Sequence, residues 1–73
     1  MKMIKAHTDV MTVASELHKM KQEYEEIGIE CELAGNILKL NFGDGYAMIS
    51  WEKDGFFEEC YKYDKNGNPV VIF

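Results

Sequence analysis

His7, His18, Cys31 and Cys60 are the residues of this 73-residue chain whose types most often serve as nucleophiles, bases or metal ligands. His7 and His18 stand about three helical turns apart, ~16 Å along a helix axis, so they cannot hold one metal together. No CxxC, HxxxH or HExxH spacing links the four, and a zinc site would need distant residues to converge. A Cys31–His18 pair would make an activated thiol. However, the expected helix turns His18 to its outer flank, and the expected strand turns Cys31 to the core.

Other motifs are equally sparse. GxGxxG, GxSxG and Walker loops are absent. FGDGY joins two expected strands and precedes no helix, so it is a hairpin and not a phosphate cradle. DKNGN, at 64–68, spaces its oxygen-bearing side chains at alternating positions, as a calcium loop does. Pro69 stands where that loop needs glycine, and Tyr61, Tyr63, Val70 and Ile72 alternate as strands instead of flanking helices. Asn66-Gly67 is therefore expected as the type I′ turn of a last hairpin. None of these residues implies a cofactor, a metal or a catalytic group, and no enzyme is expected. One helix on a small sheet also offers little concavity for a substrate pocket of ~300 Å³.

Composition narrows the partners. The net charge of −5 argues against direct binding to nucleic-acid phosphates and permits docking on a basic surface of another protein. No apolar run approaches the ~20 residues of a membrane span. MKMIKAHTDV has lysines but no apolar core of a signal peptide, so the cytoplasm is the expected compartment and Cys31 and Cys60 are expected as free, half-buried thiols.

The elements that must position any site follow from periodicity. Val10, Val13, Leu17, Met20, Tyr24 and Ile27 alternate spacings of three and four, the apolar stripe of one amphipathic helix. Thr8 or Asp9 supplies its N-cap, and Gly28 suits the position after its end that needs positive φ. After Gly28 the period becomes two. Turn signals at Gly35-Asn36, Asp44-Gly45, Asp54-Gly55 and Asn66-Gly67 separate five short strands.

Two-residue loops at the first two sites oppose Leu33 to Leu38, Cys31 to Leu40, Leu40 to Ile49 and Leu38 to Trp51. A three-residue loop through Lys53, Asp54 and Gly55 sets Phe57 beside Trp51. The last turn opposes Tyr63 to Val70 and Tyr61 to Ile72. All these residues share one face, which the helix covers. The expected fold is α+β, a single domain over 1–73: one N-terminal helix on a five-stranded antiparallel meander (αβββββ), with residues 1–7 a short edge strand or frayed. Glu59 falls on the core face in this register, which a bulge at Glu58-Glu59 would relieve.

The other sheet face is left uncovered. Its expected residues include Tyr46, Met48, Phe56, Cys60, Val71 and Phe73, an apolar share that suits a partner surface, unless residues 1–7 fold over it. Glu23, Glu25, Glu26, Glu30 and Glu32 crowd the helix-to-strand corner without a base among them. Glu25 and Glu26 oppose the helix dipole there, a misfit that points to recognition. A solvated acidic edge that aids solubility is the plainer account of the same residues.

The function expected from size, charge and patch is a small acidic, non-catalytic protein-binding module. In its narrower form it is a phage- or mobile-element-encoded inhibitor of a host nucleic-acid-binding defence complex, of anti-CRISPR or anti-restriction type. The alternative is a self-associating, homodimeric structural or regulatory subunit. A metal or small-ligand binder ranks third.

Overall fold

A computed structural model describes residues 1–73. In chain order the elements are β1 (Lys2–Ala6), a 3-10 turn (Val10–Thr12), α1 (Val13–Glu26), β2 (Glu30–Ala34), β3 (Ile37–Asn41), β4 (Gly45–Glu52), β5 (Gly55–Tyr63) and β6 (Pro69–Val71). The fold is the expected α+β arrangement, one helix on an antiparallel sheet, with residues 2–6 resolved as an added edge strand. The sheet runs β2-β3-β4-β5, and β5 is long enough for β1 and β6 to share its outer edge end to end.

The helix forms where its apolar stripe asks it to. The Asp9 carboxylate accepts the Met11 N–H at 3.0 Å and caps the 3-10 turn that leads into α1. At the other end Ile29 N–H donates to the Tyr24 carbonyl and Gly28 N–H to that of Glu25, a Schellman closure that needs the φ of +89° at Gly28. Only the middle of the stripe is fully used. Val13 and Leu17 are buried against Leu38, Leu40, Ala47, Ile49 and Phe56, while Val10 and Ile27 at its ends stay 64% and 72% exposed. The Trp51 indole N–H donates to the His7 carbonyl at 2.7 Å, and His7 N–H donates to that of Asp54, tying the segment before the helix to the β4–β5 turn.

The hairpin registers meet expectation unevenly. The β2–β3 pairing is the expected one, with Cys31 opposite Leu40 and Leu33 opposite Leu38. In β3–β4 the loop is Gly43-Asp44, so Leu40 faces Ala47 and Leu38 faces Ile49, a shift of two. Gly43 has φ of +89°, as the first central residue of a II′ hairpin requires. Side chains alternate with period two, so this shift leaves every residue on its expected face.

The β4–β5 register differs by one residue. Its loop is Lys53-Asp54 alone, and Gly55 already pairs with Glu52. An odd shift turns a strand over: Phe56, Glu58 and Cys60 face the helix, and Phe57, Glu59, Tyr61 and Tyr63 face outward. Phe56 is 0% exposed in the core. Glu59 lies outside it, and the β4–β5 pairing continues past it unbroken, so no bulge forms there. The last hairpin closes on a three-residue loop, Lys65 to Gly67, with Gly67 at φ +82° and Asp64 bonded to Asn68. This second odd shift cancels the first, and Val71, opposite Tyr61, keeps its expected outward face.

Candidate functional site

The open face carries Tyr46, Met48 and Val71, as expected, but not Phe56 or Cys60. Phe56 fills the core, and Cys60 packs half-buried against it. In their place the face holds Phe57, Tyr61 and Tyr63 from β5, with Met3 of β1 opposite Phe57. Phe73 lies at the seam of β1 and β6, where its carbonyl accepts the Cys60 N–H and the Lys2 ammonium sits 5.8 Å from its ring. Residues 1–7 do not fold over the face, since 2–6 lie in the sheet itself. The carboxylates gave no signal of this shift, because either register turns one of the adjacent Glu58 and Glu59 toward the helix.

The face is organised around Tyr46. Its ring stacks on Tyr61 (centroids 4.7 Å apart, planes at 15°) and meets Tyr63 at 5.9 Å in a tilted contact. From the β3 side the Lys39 ammonium lies 4.7 Å from its centroid. The Tyr61 hydroxyl donates to the Glu59 carboxylate, and that bond, with smaller contributions from burial and the Glu59 charge, pushes the Tyr61 pKa up to about 12.

The acidic corner is divided: Glu30 and Glu32 lie on this face of β2, and Glu23, Glu25 and Glu26 lie on α1, which packs on the other face. Glu23, Glu25, Glu26, Glu30 and Glu32 are all exposed. The protein has two ion pairs, Lys5–Glu16 and Lys21–Glu25, so four of the five glutamates have no cation bound. Lys39 stands directly opposite Glu32 across β2–β3, yet its ammonium is drawn to the Tyr46 ring.

His7 and the two cysteines make local contacts. His7 shares a 2.5 Å hydrogen bond with the Thr12 hydroxyl and stacks on Phe56, and His18 is exposed. Cys31 and Cys60 are free and half-buried. Burial first, then the Glu25 charge, raises the Cys31 pKa; burial first, then the Glu58 hydrogen bond, pushes that of Cys60 up to about 11. No three His, Cys, Asp or Glu side chains converge as a metal would require. The Asp64 carboxylate accepts the N–H groups of Asn66 and Asn68, so DKNGN holds its own turn with the oxygen a calcium ion would need.

The molecule has more concavity than its size led us to expect. A groove of about 410 Å³ lies beside the start of α1, lined by Val10, Val13, Ala14, Leu17, Gly35, Asn36 and Trp51, none of them titratable. A smaller hollow of about 280 Å³ borders Phe42, Asp44, Tyr46, Tyr61 and Ile72. No helix is long and apolar enough to cross a membrane. Comparison with protein-family models, curated proteins and solved structures finds no match.

Proposed function

We propose that this protein is a non-catalytic protein-binding module that docks through its open sheet face and the acidic corner beside it, onto a partner with a basic surface. The observation that carries this reading is the continuity of the two. The tyrosine cluster with Met48 is apolar and uncovered, and the unpaired Glu30 and Glu32 lie on the same face of the same sheet. Aromatic and methionine side chains ringed by charge are the composition of a partner surface.

Its narrower form is an inhibitor acting in the cytoplasm of a host cell, phage- or mobile-element-encoded, that occupies the basic groove of a nucleic-acid-binding defence complex. Size and acidity support it. The test is affinity capture from a host extract with the native chain and with a Glu30→Lys/Glu32→Lys chain side by side, followed by gel shift with whatever only the native chain retains. Release of nucleic acid from the captured protein is expected; identical captures, or a captured protein that keeps its nucleic acid, count against the inhibitor.

A homodimer through the same face is the second reading, favoured by Met3, Ile37, Tyr63 and Val71, each more than a third exposed there. Sedimentation at micromolar concentration separates the two: a species of 8.4 kDa supports the module, and twice that mass supports the dimer.

A further inference from the structure

We propose that the outer edge of β2 is a strand-addition site for an extended basic segment of the partner, with lysine or arginine at alternate positions. This rests on the binding-module reading and supplies its docking mode. β2 ends the sheet: β3 pairs with one side of it and nothing pairs with the other. The pairing runs unbroken from Ala34–Ile37, at the two-residue turn, to Glu30–Asn41. Residues flanking such a turn exchange both hydrogen bonds, and bonded and non-bonded pairs alternate from there. Ala34, Glu32 and Glu30 therefore turn their amides toward β3, and the N–H and C=O groups of Cys31 and Leu33 point outward. Those four groups in a row are a template for another strand.

The far edge of the sheet is blocked by its backbone, whereas this one is guarded only by the charge of Glu30 and Glu32, which a basic strand would neutralise. β1 has a register break between Met3 and Lys5 and carries two lysines, and β6 is three residues long and starts with proline. β2 has no bulge, proline or lysine.

Charge selects the occupant. The register that pairs all of β2 with a second copy centres on Glu32 and sets the two Glu32 carboxylates against each other, which is destabilising. A basic strand instead places cations beside Glu30 and Glu32, whose one cross-strand lysine is turned away to Tyr46. Its intervening side chains meet half-buried Cys31 and Leu33 on the helix side, so they are apolar.

The probes are two capped peptides of about seven residues, one alternating lysine with valine and the other glutamate with valine. Each is titrated into the full chain and followed by amide NMR and hydrogen exchange. The lysine peptide should shift the signals of residues 30–34 and slow exchange at Cys31 and Leu33 by at least about tenfold, and the glutamate peptide should do neither. Glu30→Lys/Glu32→Lys, with an unchanged circular dichroism spectrum, should reverse the preference. Equal responses to both peptides, no response, or a response that leaves Cys31 and Leu33 exchange unaltered overturns the proposal. If the peptides fail while Met48→Glu still abolishes partner capture, the edge site falls and the binding-module reading stands.

Discussion

Gly45 of β4 stands against the backbone of β5, opposite Lys62. A methyl group there would collide with the Tyr61 carbonyl oxygen and lie 3.0 Å from the Lys62 Cα, neither of which can step aside. Gly45→Ala is expected to cost ~2 kcal/mol and lower the melting temperature by roughly 10 °C, measured by thermal denaturation. Two titrations are shifted by their surroundings. The Tyr61 hydroxyl bond to Glu59 raises its pKa from 10.0 to about 12. The folded state therefore favours the protonated phenol, and its contribution is complete below about pH 10 and lost as pH rises toward 12. Glu59→Gln should bring the Tyr61 ring titration, followed by NMR, back toward 10; an unmoved midpoint would show the bond is not the cause. Cys60, pushed up from 9.0 to about 11 by burial and then by Glu58, should alkylate at pH 8 on the order of a hundredfold more slowly than a free cysteine.

At the scale of elements, β1 pairs along β5 and approaches it closely at Gly55. A methyl on Gly55 would lie 2.8 Å from the Lys5 carbonyl oxygen and 3.3 Å from the Ala6 Cα. Gly55→Ala is expected to free β1 while the core stays folded, seen as faster amide exchange at residues 2–6 and unchanged exchange in β3 and β4. The sequence made some of these elements plain and hid others, for physical reasons. The helix was legible because Val13, Leu17, Met20 and Tyr24 keep strict spacing between a cap at Asp9 and a stop at Gly28. The β2–β3 register was legible because Gly35-Asn36 is the loop itself. Asp54-Gly55 misled because Gly55 takes no positive φ and belongs to the strand, so the loop is one residue shorter than its composition suggests. A turn dipeptide marks a reversal without stating its length, and one residue of length exchanges Phe56 for Phe57 in the core. The site was thus half legible: Tyr46, Met48, Val71 and the five glutamates stand where expected, and the tyrosines of β5 were hidden by that one residue.

On the scale of the molecule, one helix covers one side of the sheet and nothing covers the other. The chain carries thirteen acidic residues against eight basic ones, and the two ion pairs leave the β2 corner uncompensated. Attraction to a basic partner should therefore weaken with salt, most steeply up to ~150 mM, where the screening length falls to ~8 Å. The most direct measurement is calorimetric titration of the captured partner with three chains: native, Met48→Glu, and Glu30→Lys/Glu32→Lys. A shared surface predicts that each variant weakens binding at least tenfold, by about 1.4 kcal/mol or more, and that only the native and Met48→Glu chains keep the salt dependence. Native affinity in both variants would contradict it.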